Sequence, residues 1–252
     1  MRKELNRLYT VENKTIREVG KILGIAEQTV FQRIQRLGIV STPYLKKGYS
    51  AKRREDIIIP KSYSPDLAEF FGIMLGDGNL SFYQVIVTLG TKEYAYAEYI
   101  VRLMKGLFGV APKIGIRKTG YKNVYVGSVA LSHWLKDEGL VYNKVRAQVS
   151  VPEWIFEKSQ YLERLVRGFF DTDGSVYRLR FGVQISFTNR SLPLLKGIHR
   201  ACKFLDYHPS HISGFRFYIT KRPEIIRFFQ EIQPKNPKHG ERFEWIMNEL
   251  GR

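Results

Sequence analysis

The chain contains an internal repeat that fixes the order of its secondary structure. One copy opens with LAEFFGIMLGDGNL at residues 67–80, and the other opens with LERLVRGFFDTDGSVY at residues 162–177. In both, an apolar run with helical spacing ends in Asp-Gly. A strand-rich stretch, a helical stretch, a second strand-rich stretch and a closing helix then follow. The pattern predicts a duplicated α+β fold in which helix, hairpin, helix, hairpin, helix occurs twice.

Small residues predict that the two opening helices pack on each other. Gly72 and Gly76 are four residues apart in one helix, and Gly168 and Thr172 have the same spacing in the other. Residues with this spacing lie on one helix face and allow two backbones to approach closely. If the helices pack through these faces, their C-terminal ends converge.

Convergence of these ends brings Asp77 and Asp173 together. Two neighbouring carboxylates repel each other unless cations lie between them. Hard oxygen ligands suit Mg²⁺, and two-metal phosphodiester hydrolysis needs ions about 3.5–4 Å apart. For either copy alone, a helix C-cap followed by a left-handed glycine is the alternative interpretation. Because the same elements follow both copies, we favour a metal site.

The charge of the chain indicates a polyanionic partner. Its formal net charge is +17, with an isoelectric point near 9.9, and neutralising phosphates would relieve the self-repulsion. Nucleic acid is the first candidate and an anionic membrane surface the second. With 44% hydrophobic and 13% aromatic residues, the chain can bury a core, which argues against disorder.

Targeting and redox features are sparse. The single Cys202 excludes an intrachain disulfide and lies in an apolar-periodic run, so we expect it to be buried. The N-terminal segment lacks the apolar core of a signal peptide, and no apolar run is long enough to span a bilayer. We therefore expect a soluble cytoplasmic protein.

Residues 1–40 predict a small all-α helix-turn-helix domain. Thr15 and Glu18 have capping-box spacing, and Gly24 separates the first amphipathic run from a second over 26–37. The second helix presents side chains of the kind that contact bases and phosphates in the major groove: Glu27, Gln28, Thr29, Gln32, Arg33 and Arg36. A helical hairpin with a solvated polar face is the alternative.

Residues 41–64 predict a basic linker between this domain and the repeats. The segment contains Pro43, Gly48 and Pro60, together with the cluster Lys46, Lys47, Lys52, Arg53 and Arg54. Such a charge run is usually solvated, but between two basic modules it can follow a phosphate backbone. We predict that Lys52, Arg53 and Arg54 contact DNA.

Two segments carry a family resemblance. FFGIMLGDG at 70–78 and VRGFFDTDG at 166–174 resemble the two signature motifs of single-chain LAGLIDADG homing endonucleases, and the resemblance covers residues 66–250. It implies an αββαββα fold in each repeat, at 65–152 and 153–252. The repeats would join with pseudo-twofold symmetry through the motif helices, with two four-stranded sheets over the DNA major groove. The implied activity is site-specific double-strand cleavage by a monomer that uses Mg²⁺, with Mn²⁺ as a substitute.

The resemblance also assigns roles to residues. It implies that Asp77 and Asp173 hold the metal, whereas the sixth motif position, Leu75 in one copy and Asp171 in the other, is not essential. A lysine is expected near each carboxylate: Lys144 in the first repeat, and Lys235 or Lys238, of which we choose Lys238, in the second. Exposed surface lysines are the alternative. In this family a polar residue often ends the second strand of each repeat, where this chain has Leu89 and Asn189. Because Leu89 is not polar, the resemblance does not imply full activity of the first half-site.

Further predicted DNA contacts lie on or between the strands. They are Tyr83, Gln84, Arg117, Lys118, Tyr121, Lys122, Arg178, Arg180, Gln184 and Arg216. Because side chains alternate along a strand, only about half of such residues can face DNA. His208 and His211 do not predict a zinc site, since Pro209 between them indicates a turn and no cysteine is near.

Two other functions remain open on the same fold: a DNA-binding transcriptional regulator that does not cleave, and an RNA splicing cofactor. The presence of both Asp77 and Asp173 favours the enzyme. The helix-turn-helix favours duplex DNA over RNA, whose deep major groove excludes a helix. The chain begins Met1-Arg2 and ends Gly251-Arg252, unlike an intein, so we expect a free-standing protein. We also expect that it needs no obligate protein partner.

Overall fold

A computed structural model describes residues 2–12, 14–39 and 56–250. The chain divides into two compact units, one up to residue 53 and the other from residue 54 onwards. Within the described residues, no helix combines the length and apolarity that crossing a membrane requires.

The first unit consists of short helices around a small core. Helix α1 (Arg2–Asn6) continues into a π-helical turn (Arg7–Val11), and α2 (Ile16–Leu23) and α3 (Glu27–Arg36) follow. The capping box is present: Glu18 N donates to Thr15 Oγ1 at 3.2 Å, and Thr15 N donates to Glu18 Oε2 at 2.7 Å. Gly24 ends α2 with a φ of 64°, a conformation that glycine adopts without strain. The core consists of Leu5, Leu8, Tyr9, Val19, Val30 and Ile34.

The second unit begins earlier than the predicted linker boundary at residue 64. Ile57 and Ile59 pack against its core, and Ile58 N donates to Phe108 O at 2.9 Å. The Tyr63 ring stacks on Trp154 at 4.2 Å between centroids. Because the residues around these isoleucines are mostly polar, the sequence did not indicate that the segment packs against the core. The rest of the predicted linker, including Lys52, Arg53 and Arg54, lies outside the described residues.

The first repeat has the predicted order of elements. It comprises α4 (Pro65–Gly76), β1 (Gly78–Leu80), β2 (Gln84–Leu89), α5 (Tyr94–Phe108), β3 (Lys113–Ile116), β4 (Lys122–Gly127) and α6 (Val129–Asp137). The strands form an antiparallel sheet in the order β1-β2-β4-β3. Val85, Val87 and Leu89 alternate along β2 and are buried, so one face of the sheet covers the core.

The second repeat differs from this order at its second hairpin. A 3₁₀ turn (Glu153–Glu157) precedes α7 (Ser159–Asp173), β5 (Gly174–Leu179), β6 (Gly182–Thr188), α8 (Leu192–Phe204), β7 (Arg216–Ile219), α9 (Arg222–Glu231) and α10 (Pro237–Leu250). Its strands, all within the described range 56–250, form a three-stranded antiparallel sheet in the order β5-β6-β7.

A fourth strand was expected beside β7, and this expectation was wrong. The segment 208–213 donates to β7 from Ser210 N to Tyr218 O at 2.7 Å and from Ser213 N to Arg216 O at 2.9 Å. Pro209 has no backbone N–H and interrupts further pairing. Beyond the closing helix α9, residues 237–250 form α10, which buries Ile246 and stacks Phe243 on Phe229 at 4.0 Å.

Helices α4 and α7 pack through their small residues. A Cβ atom on Gly72 would overlap the Leu165 carbonyl oxygen, and one on Gly168 would overlap the Glu69 carbonyl oxygen. One on Gly76 would overlap the Thr172 side chain. The predicted close approach of the two backbones is therefore present. Around it, a single core cluster contains buried residues of both repeats.

An acid of α4 is buried in this interface opposite two arginines of α7. Glu69 is 0% exposed, and its Oε2 atom accepts from Arg164 Nη1 at 2.6 Å and lies 3.4 Å from Arg167 Nη1. The Tyr99 hydroxyl donates to Oε1. Because hydrogen bonds and opposite charges surround it, the buried carboxylate is compensated.

Candidate active site

The C-terminal ends of α4 and α7 bring Asp77 and Asp173 together. Asp77 is the C-cap of α4, with its N–H donating to Ile73 O at 3.0 Å, and Asp173 is the last residue of α7. Burial raises the pKa of Asp77 to about 6, and the neighbouring charge of Asp173 adds to this effect. Burial also raises the pKa of Asp173. Both carboxylates are thus hard to ionise without a nearby positive charge.

The two carboxylates have different partners. Asn189 Nδ2 donates to Asp173 Oδ2 at 2.7 Å, and Asn189 Oδ1 accepts from Ser191 N at 2.8 Å, so the amide is held in one orientation. In the first repeat the matching residue, Leu89, is 1% exposed and belongs to the core. The amide that orients Asp173 therefore has no counterpart at Asp77.

Lys144 lies against the end of α4. Its Nζ atom donates to Met74 O at 3.1 Å and to Gly76 O. Burial lowers the pKa of Lys144, while Asp173 and Asp77 act in the opposite direction. The ammonium group thus compensates both the unpaired carbonyls of the last helical turn and the paired carboxylates.

Of the two candidate lysines in the second repeat, Lys238 directs its side chain to the site. Its Nζ atom lies 2.8 Å from Glu93 Oε1, and its charge lowers the pKa of both Asp77 and Asp173 against the effect of burial. Lys235 contributes its backbone instead, donating from N to Asp171 Oδ2 at 2.9 Å.

Asp171 anchors the loop that carries Lys238. It is 0% exposed, its Oδ1 atom accepts from Asn236 N at 3.0 Å, and its carbonyl accepts from Asn236 Nδ2 at 3.0 Å. Burial raises the pKa of Asp171 to about 7, although the backbone donors of Asn236 and Lys235 oppose this. Both oxygens of its side chain thus accept hydrogen bonds from the backbone of this loop.

Glu93 and Asn236 were not among the predicted site residues. Asn236 Nδ2 donates to Glu93 Oε1 at 2.6 Å, although the two residues are 143 positions apart in the chain. Glu93 immediately precedes α5, where an acid is commonly a helix-terminal residue. Only the packing of the two repeats brings it to the carboxylate pair.

The oxygen-rich pair fits a hard divalent cation. Among residues 2–12, 14–39 and 56–250, no three His, Cys, Asp or Glu side chains cluster as a metal site. The two carboxylates would therefore share a cation with water and with substrate oxygens, as Mg²⁺ sites commonly do. His208 Nδ1 lies 2.9 Å from Glu224 Oε1 and is not part of this site.

Several predicted DNA contacts are half-buried or exposed at the protein surface. Gln84, Gln184 and Arg216 alternate with buried core residues and face away from the helices. Others lie in or beside hairpin turns, namely Tyr83, Arg117, Lys118, Tyr121 and Arg180. On α3, Gln28, Gln32 and Arg36 are exposed, whereas Thr29 and Arg33 are half-buried.

Two predicted contacts lie on the sheet face that the helices cover; burial contradicts the prediction for Lys122, whereas Arg178 is exposed. Lys122 is 1% exposed, donates from Nζ to Thr91 O, and lies 3.5 Å from the Tyr94 ring centroid. Arg178 pairs across the sheet with the buried Val183 and approaches Glu249 Oε2 of α10 at 3.8 Å. Strand alternation directs both side chains toward the helices, away from the exposed face.

A comparison with protein-family models matches part of the second repeat. Residues 160–233 match the family model described as a LAGLIDADG-like domain. No curated protein matches the chain. The predicted family resemblance is therefore supported by a family model over the second motif and the elements that follow it.

Three solved structures are similar to this chain. The homing endonuclease I-WcaI bound to its DNA recognition sequence is 13% identical, with 71% of this chain and 85% of that chain covered and a TM-score of 0.50. I-DmoI in complex with DNA and Mn is 18% identical, with 67% and 96% covered and a TM-score of 0.49. The N-terminal LAGLIDADG domain of DUF199/WhiA is 18% identical, with 69% and 86% covered and a TM-score of 0.49. The likeness to I-WcaI supports the α+β homing-endonuclease fold.

Proposed function

We propose that the chain, of which residues 160–233 match the model of a LAGLIDADG-like domain, is a metal-dependent endonuclease that makes site-specific double-strand breaks in DNA. The observation that carries this proposal is the pair Asp77 and Asp173, one from each repeat, at the converging ends of two helices. With one carboxylate from each repeat, each strand of a duplex would have its own acidic metal ligand.

The surrounding residues support phosphodiester hydrolysis. A divalent cation, Mg²⁺ or its substitute Mn²⁺, would supply positive charge at the scissile phosphate and lower the pKa of bound water. Asn189 fixes the orientation of Asp173. Lys144 and Lys238 place ammonium groups at the carboxylate pair, where they would stabilise the charge that develops on phosphate oxygens.

The exposed sheet faces and α3 provide the proposed DNA surface. Gln84, Gln184 and Arg216 would contact the major groove, with Arg117, Lys118 and Arg180 at the hairpin ends following phosphates. Gln28, Thr29, Gln32, Arg33 and Arg36 of the first unit would contact a flanking segment. The partner is duplex DNA, and we propose that the protein acts as a monomer because it contains both repeats in one chain.

A DNA-binding regulator that does not cleave is the second candidate. The observation that favours it is Leu89, which leaves Asp77 without the amide partner that Asp173 has. Such a protein would keep the same basic surface and lack turnover.

One experiment separates the two functions. The protein is incubated with a library of duplex DNA and Mg²⁺, bound duplexes are recovered in Ca²⁺, and the cut ends from the Mg²⁺ reaction are sequenced. An endonuclease yields a recurring sequence with paired ends on both strands. Enrichment of one sequence without cut ends identifies the regulator. The Asp77→Asn/Asp173→Asn double variant controls for contaminating nuclease.

Cation binding should depend on pH through Asp77. With its pKa raised to about 6, this carboxyl favours the fold when protonated, so its contribution to stability is lost as pH rises from about 4 to 6. A cation binds the charged form and offsets that loss. At pH 7.5, Ca²⁺ at about 100 times its Kd should add about 2.7 kcal/mol, or roughly 5–10 °C in Tm. At pH 5 the increase should fall to about half, because protonation of Asp77 weakens cation binding about tenfold.

Tryptophan fluorescence measures this effect in the second unit, because Trp134, Trp154 and Trp245 all lie there. Asp77→Asn should remove the response to Ca²⁺ at pH 7.5. An equal increase in Tm at both pH values would contradict cation binding by Asp77.

The first unit should contribute affinity and not chemistry. We expect a chain beginning at Asp56 to remain folded, because it keeps Ile57 and Ile59 and the whole core of the second unit. It should still cut with Mg²⁺, bind more weakly, and depend less steeply on salt by about 0.9 in log–log slope per lost phosphate contact. Footprinting should show protection shortened on one side. Unchanged affinity, salt slope and footprint would show that α3 does not contact DNA.

A further inference from the structure

Glu93 is a carboxylate at the site that the proposed mechanism does not use. It belongs to the first repeat and directly precedes α5, yet its polar contacts reach into the second repeat. Oε1 accepts from Asn236 Nδ2 at 2.6 Å and lies 2.8 Å from Lys238 Nζ, and Oε2 accepts from Gly90 N. A carboxylate with three donors is held in one position.

One partner of Glu93, Asn236, is itself held by hydrogen bonds to Asp171. Asn236 receives its orientation from Asp171, whose carbonyl accepts from Asn236 Nδ2 and whose Oδ1 atom accepts from Asn236 N. Asp171 precedes Asp173 in the motif helix α7 by two residues. The chain of contacts therefore runs from α7 through Asn236 to Glu93 and ends at Lys238.

The position of Lys238 is what this chain of contacts determines. Its side chain is 42% exposed, so without Glu93 the ammonium group would rotate freely in solvent. With Glu93 in place, the ammonium group lies where its charge acts on both Asp77 and Asp173. Burial opposes ionisation of Glu93, but its donors outweigh burial and lower its pKa, so it is charged at neutral pH.

We propose that Glu93 is a positioning residue that holds the Lys238 ammonium group at the paired carboxylates through a contact between the two repeats. The contact itself does not depend on cleavage. Its catalytic consequence rests on the proposed function: losing the contact slows cleavage because Lys238 no longer stays beside the scissile phosphate.

The chain offers a matched control in Glu224. Its side chain is 13% exposed against 14% for Glu93, and it likewise accepts from a backbone N–H, that of His208, at 2.9 Å. It also pairs with a lysine, Lys221, at 3.1 Å. Glu224→Gln therefore removes an equivalent contact away from the carboxylate pair.

The first test measures the lysines directly in the full-length protein without DNA. Acetylation by acetic anhydride is followed at Lys238 and Lys221 by mass spectrometry. Because an ion-paired amine is a poorer nucleophile, Glu93→Gln should speed acetylation of Lys238 about two- to fivefold and leave Lys221 unchanged. Glu224→Gln should do the reverse. Equal rates at Lys238 in the parent and in Glu93→Gln would overturn the proposal.

The second test measures single-turnover cleavage of the duplex identified from the library. Glu93→Gln should cleave about 10- to 100-fold more slowly, with affinity in Ca²⁺ unchanged, and Glu224→Gln should cleave like the parent. In a Lys238→Gln background, adding Glu93→Gln should have no further effect, because Glu93 acts through Lys238. Additive losses would overturn the positioning role. A parent that does not cleave would refute the proposed function, and acetylation alone would then decide the contact.

If Glu93→Gln unfolds, Asn236→Ala provides a second route to the same contact. It removes the amide that holds Glu93 and leaves the carboxylate present. Lys238 should again acetylate faster than in the parent, while Lys221 should not. An unchanged Lys238 rate in folded Asn236→Ala would count against the chain of contacts.

Discussion

Asp77→Asn and Asp173→Asn should each abolish double-strand cleavage and leave DNA binding nearly unchanged. Each substitution keeps the shape of the side chain and removes the negative charge that would hold a divalent cation. Losing one charge-stabilising group from a catalytic site typically lowers turnover by about 10²- to 10³-fold. Binding should persist because the basic surface of the chain, with its net charge of +17, is not reduced.

A duplex that carries a different dye on each strand can be used to measure both the cleavage of each strand and the binding of the duplex. Asp137→Asn is the matched control, because Asp137 also ends a helix, α6, but is exposed and outside the pair. It should cleave both strands as the parent does. Undiminished cleavage of both strands by either Asp77→Asn or Asp173→Asn would refute the two-carboxylate site.

Gly72→Leu and Gly168→Leu should destabilise the second unit strongly. At both positions a side chain would meet the backbone of the opposite helix, which cannot rotate away as a flexible side chain can. Overpacking costs about 1–3 kcal/mol where neighbours can adjust, so we expect about 3 kcal/mol or more here. For a unit of this size that corresponds to a fall in Tm of roughly 6–12 °C.

Gly106→Leu provides the control for this measurement. Gly106 lies within helix α5, and a Cβ atom there would meet nothing within 4 Å. Leucine should stabilise this exposed helical position by up to about 1 kcal/mol, because its helix propensity exceeds that of glycine. Similar melting temperatures for Gly72→Leu and Gly106→Leu would show that α4 and α7 do not pack through their glycines.

Local patterns in the sequence predicted the elements that depend on neighbouring residues. The Thr15–Glu18 capping box and the glycine-lined helices α4 and α7 are examples. The sequence did not show that Lys122 and Arg178 lie on the helix-covered face of their sheets, because only the packing of the helices determines which face is covered. A basic residue gives no indication of this until the strand pairing is known.

Contacts between segments that are distant in the chain also could not be predicted from the sequence. Glu93 meets Asn236 and Lys238 only because the repeats pack as they do. The Ile57–Ile59 contacts were hidden in a segment whose composition is typical of a linker. The missing fourth strand of the second repeat follows from Pro209, whose effect on pairing depends on the partner strand.

The buried Glu69 also determines which repeat can pair with which. Aligning the two motif helices places Ala68 and Phe71 of α4 at the positions that Arg164 and Arg167 occupy in α7. A homodimer of the first repeat would therefore bury two Glu69 carboxylates with no arginine opposite. A homodimer of the second repeat would set four arginines together without an acid. Uncompensated buried charges cost several kcal/mol each, so this network favours pairing of the first repeat with the second over pairing of two identical repeats. Neither repeat can therefore replace the other in the interface.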